Sequence, residues 1–186
     1  STLLLKIAVF IPFAPDAEDG SISDLVRLWI NSRLDFGRVS VTKGADGKMI
    51  SYEIRSIVVG GTSLKGCSDC DVALFVIPPP WANPHQRANE LGSLSSIIDD
   101  DVPRVVLVLG EVFYETYFDS MNELLATHLG GSMGKLPIIY TSKISADAYE
   151  SALESTCKKV AKIFVHDACV KINRIPMIRI ASMTII

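Results

Sequence analysis

The sequence predicts one α/β domain in three layers, with a mostly parallel sheet, helices on both faces and one antiparallel hairpin at the edge. Short apolar runs such as residues 71–77 alternate with helical patterns, which is typical of buried parallel strands joined by crossover helices. Asp46-Gly47 stands between two alternating runs and predicts the hairpin. The 186 residues, 48% hydrophobic and 21% charged, suffice for one domain with a sizeable core.

The first half of the chain holds four of the six predicted strands. The opening strand is rich in β-formers and stops at Pro12. A capping sequence at residues 21–24 then begins a helix whose apolar positions include Leu25 and Trp29, and residues 35–37 close it. The hairpin follows, and after a glycine-rich loop comes a fully apolar strand. These strands are predicted at residues 5–11, 38–43, 50–59 and 71–77.

The second half alternates helices with strands. A helix over residues 84–98 begins near a proline, and a helix over residues 111–129 ends at a glycine pair. The last clear helix covers residues 145–164 and places Ala152, Cys157, Val160, Ala161 and Phe164 on its apolar face. The intervening strands are predicted at residues 103–109 and 136–142.

Two domain segments follow from this order. Residues 3–164 form the α/β domain, and residues 165–186 form a C-terminal extension, predicted as one or two strands packed on it. The apolar tail "MIRIASMTII" could add a strand to the sheet of a second copy, which would make a homo-oligomer.

The order of elements resembles that of small Ras-like GTPases, in which only the second strand is antiparallel. The resemblance implies a Ras-like strand order. A P-loop needs G-x-x-x-x-G-K-[S/T] after the first strand. Residues 12–21 instead hold two prolines, one glycine and the acids Asp16, Glu18 and Asp19, which repel a polyphosphate. The sequence therefore predicts no functional P-loop and no cofactor.

The cysteines, the histidines and the net charge bear on metal binding, catalysis and cellular location. Cys67-x-x-Cys70 has no second ligand pair for zinc, and the three histidines stand apart, so no metal site or catalytic residue is predicted. Four cysteines without disulfide-framework density favour a reducing compartment. No apolar run reaches the length of a membrane span, and a net charge of −3 argues against nucleic-acid binding.

A proline-rich stretch is the strongest candidate for an interaction surface. Pro79, Pro80 and Trp81 stand at the carboxyl end of a central strand, where α/β proteins bind their ligands. Trp81 either anchors a partner or caps the core. The acidic residues Asp16, Glu18 and Asp19 complete the set of predicted interaction residues.

Four stretches resemble the germinal-centre associated nuclear protein (GANP) family, in the region beyond its mRNA-export scaffold domain. They are "KIAVFIPF…LVRLWINSRL", "DVALFVIPPP", "PRVVLVLGE" and "SALESTCKKVAKIF". The resemblance implies a nuclear scaffold linked to mRNA export, and an associated acetyltransferase activity. The acetyl-CoA loop of the common Arg/Gln-x-x-Gly-x-Gly/Ala type is absent from this sequence.

These observations lead to one functional expectation and one alternative. We expect a non-catalytic protein-interaction domain of a nuclear scaffold, a pseudo-GTPase without a nucleotide site, whose contact is a helix face or the proline-rich edge. The alternative is an enzyme, either an acyltransferase of the protein or histone acetyltransferase kind or an atypical nucleotide-binding hydrolase.

Overall fold

The computed structural model describes most of the predicted elements. It covers residues 1–11, 20–43, 45–59, 69–77, 92–93, 96, 98–109, 115–130, 136–141 and 145–184. The strands are β1 (Thr2–Phe10), β2 (Arg38–Lys43), β3 (Lys48–Val58), β4 (Val72–Ile77), β5 (Arg104–Val108) and β6 (Ile138–Tyr140). The helices are α1 (Gly20–Arg33), α2 (Glu115–Leu129) and α3 (Ala146–Thr184).

The six strands form one sheet in the order β2-β3-β1-β4-β5-β6. β2 pairs antiparallel with β3, whereas the other four pairings are parallel. The prediction of a mostly parallel sheet with one antiparallel edge hairpin is therefore confirmed. Gly47 in the hairpin turn has φ of +65°, a left-handed conformation that glycine adopts without strain.

Side chains of the sheet alternate between two cores. Odd-numbered residues of β1, such as Leu5 and Ile7, share one core with Ile30 of α1 and Leu153 of α3. Phe10 of β1 and Phe75 of β4 belong to the other core, together with side chains of α2. The two phenylalanine rings stack with their centroids 5.1 Å apart. Helices thus cover both faces of the sheet, as the apolar runs predicted.

The hairpin half of the sheet is covered on one face alone. Val39 and Val41 of β2 pack on the core that contains α1 and α3. On the opposite face the exposed hydroxyls of Ser40 and Ser51 lie 2.7 Å apart, and Thr42 donates a hydrogen bond to the Met49 sulfur at 3.1 Å. A strand with one buried face alternates apolar and polar side chains, and this hairpin has that pattern.

The prediction of strands in the C-terminal extension is wrong. α3 continues through residue 184, so the predicted boundary between residues 164 and 165 falls inside one helix, where Val165 is buried in the core. A short apolar run does not distinguish a strand from a helix by its periodicity, and here it prolongs an established helix. Strand addition by "MIRIASMTII" therefore has no basis in this fold.

The helices predicted over residues 111–129 and 145–164 agree with the structure where it describes them. The five apolar positions predicted on the inner face of α3 are all buried: Ala152, Cys157, Val160, Ala161 and Phe164. α2 ends at Leu129, directly before the glycine pair. Of the helix predicted over residues 84–98, the structure describes a helical pair at residues 92–93 and little else.

Candidate functional site

The predicted interaction residues follow two neighbouring strands of the sheet. β1 and β4 run parallel with Phe10 opposite Phe75, so the segments after them begin side by side at the carboxyl edge. The predicted residues belong to those segments: Asp16, Glu18 and Asp19 after β1, and Pro79, Pro80 and Trp81 after β4. All six lie outside the described residues, so their role stays a prediction.

The topology makes this edge a candidate site independently of the side chains. From β1 the chain reaches β3 on one side, and it later reaches β4 on the other side of β1. The connections after β1 and β4 therefore diverge between these two strands. Open α/β sheets bind their ligands at such a switch point, outside the carboxyl ends of the strands.

The outer face of α1 is the most apolar exposed helix face that the described residues offer. The side chains of Leu25 and Leu28 are 64% and 67% exposed, respectively. Residues three apart are neighbours on a helix surface, so the two leucines form one patch. Single exposed apolar residues are ordinary, but an adjacent pair on one helix face is a candidate contact for a partner.

Contacts with α3 hold α1 in this orientation. Ile30 is fully buried, and Trp29 lies beside Tyr149 with the ring centroids 6.2 Å apart. The Trp29 Nε1 donates to the Glu150 Oε1 at 2.8 Å, and the Arg33 Nε donates to the same oxygen at 3.1 Å. Because one side of α1 is tied to α3, the leucine pair stays turned away from the core.

Sequence reasoning placed Leu25 on the apolar stripe and did not single out Leu28. The structure corrects this, since Leu25 is exposed and Ile30 is the fully buried residue of α1. A signal was present in the sequence. Apolar residues at positions 25, 26, 28, 29 and 30 span a wider arc of a helix than one core can cover.

A charged groove of about 510 Å³ lies where α1 ends against α3. Its wall carries the basic residues Arg33, Arg38 and Lys158 and the acidic residues Asp35, Glu150 and Glu154. Cys157 also lines the groove, and burial raises the pKa of its thiol. A protonated thiol is a poor nucleophile, so the groove suits binding better than covalent chemistry.

The histidines and the cysteine motif do not form a reactive cluster within the described residues. His128 lies in the last turn of α2, as predicted, whereas His166 lies on α3. Cys70 is buried, and its motif partner Cys67 is not among the residues that the structure describes. The described part of the chain contains no group of three metal-ligating side chains.

No helix among the described residues is long and apolar enough to cross a bilayer.

No protein-family model matches the chain, and no curated protein matches it by sequence. The solved structures that match this chain include two flavodoxin-like proteins of low similarity. A flavodoxin-like domain from Synechococcus has 8% identity and a TM-score of 0.44, over 91% of this chain and 99% of that domain. A flavodoxin from Streptococcus pneumoniae has 13% identity and a TM-score of 0.36, over 89% of this chain and 99% of the flavodoxin. These values transfer no residue role to this chain.

The comparisons correct both resemblances drawn from the sequence. No family model and no curated protein supports the GANP resemblance, and the two solved structures named above are described as flavodoxin-like and not as Ras-like GTPases. Counted among themselves, the five parallel strands of this sheet have the order 2-1-3-4-5, an order that occurs in flavodoxin-like folds, and the antiparallel β2 lies at the edge beside β3. The quoted GANP stretches are apolar strands and helix faces, which any α/β domain of this kind requires.

Proposed function

We propose that this chain is a non-catalytic protein-interaction domain and that the outer face of α1 forms the contact. The exposed pair Leu25 and Leu28 carries the proposal, because the adjoining Ile30 is buried and Trp29 is tied to α3. Burying two such leucines against a partner removes apolar surface from water at little conformational cost, since the helix is already held in place.

The partner best suited to this face is an amphipathic helix that lies along α1. Its apolar residues would cover the leucine pair. Asp24 is exposed and Arg27 is half-buried, and neither forms an ion pair with another described residue. A basic side chain opposite Asp24 and an acidic one opposite Arg27 would fix the direction of the partner helix.

Two observations support binding over turnover. The Cys157 thiol is kept protonated by its burial, and the two described histidines lie on different helices. The acidic, proline-containing sequence of residues 12–21 supports the absence of a functional P-loop. Nuclear localisation and a link to mRNA export came from the GANP resemblance and stay untested predictions.

The proposal is tested with the double variant Leu25→Ser/Leu28→Ser. Proteins captured by the wild-type domain from a cell extract are identified by mass spectrometry, and the affinity of each purified candidate is measured by calorimetry. We expect the double variant to lose about 2 kcal/mol of binding free energy, roughly thirtyfold in Kd. Met49→Ser, which removes an equally exposed apolar side chain from β3, is the matched control and should leave Kd unchanged.

Equal affinity of the wild type and the double variant for the partner would show that α1 does not form the contact.

The enzyme alternative is tested separately by thermal unfolding with GTP, ATP or acetyl-CoA, each with magnesium. A ligand at a hundred times its Kd adds about 2.7 kcal/mol to stability, so a bound substrate gives a clear rise in Tm. Such a rise would favour the enzyme over the interaction domain.

A further inference from the structure

A second cavity lies at the amino edge of the sheet, at the opposite end of the parallel strands from their carboxyl edge. It occupies about 350 Å³ between the starts of β5 and β6 and the middle of α3. This volume lies within the range of small-molecule sites. Four parts of the chain line it: residues 102–104, Gly130 directly after α2, residues 136–137 and the face of α3 from residue 159 to residue 167.

Positive charge from α3 converges on this cavity. Lys159, Lys162 and His166 line it, and their spacing of three and four residues places them on one face of the helix. Lys159 and Lys162 take part in no ion pair with any residue in the described segments. By contrast the neighbouring Lys158 pairs with Glu154 at 2.9 Å and lines the other groove.

A buried arginine forms part of the wall. Arg104 is 5% exposed, and its guanidinium donates to the carbonyl oxygens of Val102 at 3.0 Å and Ile98 at 3.4 Å. These bonds fix the position of a third positive charge. Asp167 is the one carboxylate among the lining residues, so the cavity has an excess of positive charge in a chain whose net charge is −3.

The rest of the lining is apolar. Val102 and Leu136 are buried in the core that contains α2, and Ile163 of α3 packs against the core on the other face of the sheet. A ligand that fits must therefore offer an apolar body to these side chains and a negative group to the lysines. A purely ionic ligand leaves the apolar wall in water, and a neutral ligand gains no electrostatic attraction from the exposed Lys159 and Lys162.

We propose that this cavity binds a small amphipathic anion, with its carboxylate or phosphate at Lys159 and Lys162 and its apolar body on Val102, Leu136 and Ile163. The cavity shares no residue with α1. Binding here is consequently independent of the protein contact proposed above, and each proposal can fail without the other.

The test uses hexanoate and hexyl phosphate as probes, with hexanol as the uncharged control, in calorimetric and NMR titrations of the full chain. We expect at least one anion to bind with a Kd near or below about 1 mM and hexanol to bind at least tenfold more weakly. Binding should shift the backbone amide signals of Lys162 and Ile163. A preference for one anion identifies the carboxylate or the phosphate as the natural head group.

Lysine variants test whether Lys159 and Lys162 bind the negatively charged head group of the probe. Lys159→Met/Lys162→Met keeps the aliphatic stems and removes both charges, and should weaken anion binding tenfold or more. Lys158→Met is the matched control on the same helix and should leave binding unchanged, and thermal unfolding verifies that both variants are folded. The proposal is overturned by no binding of either anion, by equal binding to the double variant, by equal binding of hexanol, or by shifts confined to other residues.

Discussion

The two halves of the sheet, β4–β5 and the β2–β3 hairpin, differ in the solvent exposure of their side chains. Every residue of β4 and of β5 is buried, so these strands lie between two layers of the protein. β3 alternates between buried, half-buried and exposed residues, and β2 packs on the core with one face. Both halves belong to one sheet and share hydrogen-bond ladders through β1, which pairs with β3 on one side and β4 on the other.

This difference shows where the stability of the domain resides. The side chains of β4 and β5 are buried, whereas among the described side chains of the hairpin about half are at least partly buried and the rest are exposed. Substitutions of equal size should therefore differ severalfold in their cost between the two halves. The exposed half is correspondingly free to carry polar and charged residues, as the Ser40–Ser51 pair shows.

The largest expected effect is the difference in free energy of unfolding between a substitution in the buried half of the sheet and one in the hairpin. Phe75→Ala removes a fully buried ring that stacks on Phe10, and should lower the free energy of unfolding by about 3–5 kcal/mol. Met49→Ala removes a side chain of β3 that is 59% exposed and should cost less than about 1 kcal/mol. Urea unfolding of both variants measures the difference. Equal losses would mean that the two halves do not differ in their contribution to stability.

A smaller effect is expected at alkaline pH on β6, the half-buried strand beside β5. Burial raises the pKa of Tyr140 on β6 to about 12, and its hydroxyl donates to Asn122. Because the folded state holds this proton more tightly than the unfolded state, the contribution is complete below pH ~10 and is lost as the pH rises towards 12. Partial solvent access limits the loss to about 1–2 kcal/mol.

Tyr140→Phe provides the control for this pH dependence. The variant should be less stable at neutral pH, because the Asn122 oxygen loses its donor, and its stability should fall less steeply between pH ~10 and 12. Urea unfolding at several pH values provides the measurement. A parallel fall in the wild type and the variant would assign the alkaline loss to other groups.

The smallest effect tests the hairpin turn in the exposed half. Gly47→Ala places a side chain at φ of +65°, where nothing lies within 4 Å of the new methyl group, so backbone strain alone should cost about 1 kcal/mol. Gly37, with φ of +60° and equally open space, is the matched site at the end of α1. Thermal unfolding should show similar losses at both positions, and an unchanged Tm for Gly47→Ala would show that the turn relaxes.

Local patterns predicted most of the fold. The alternation on both sides of Asp46-Gly47 predicted the hairpin, and the continuous apolar runs predicted β4 and β5, because each signal lies within a few residues. The end of α2 at the glycine pair was equally readable. Such features depend on the preferences of neighbouring residues and need no knowledge of distant contacts.

Features that depend on distant segments were not predicted. The amino-edge cavity is lined by residues from separate parts of the chain, between residue 102 and residue 167, and Lys159 and Lys162 by themselves resemble any solvated helix face. The course of α3 past residue 165 was missed because its tail is apolar and contains Pro176, which disfavours a helix interior. The exposure of Leu25 depends on how α1 is rotated by its contacts with α3.

β1 forms a longer hydrogen-bond ladder with β3 than with β4, and this difference affects the tendency of the chain to aggregate. β1 pairs with β3 from Thr2 onward but with β4 only from Ile7, so the start of the strand has an open side within the described sheet. Unpaired strand edges recruit other molecules into extended fibrils. Here the Asp71 carboxylate accepts the Lys6 amide at 2.8 Å, and Lys6 pairs with Asp69 at 3.1 Å. Charged side chains at a strand edge disfavour pairing with another molecule. Lys6, Asp69 and Asp71 therefore limit the unpaired part of this edge and should reduce aggregation through it.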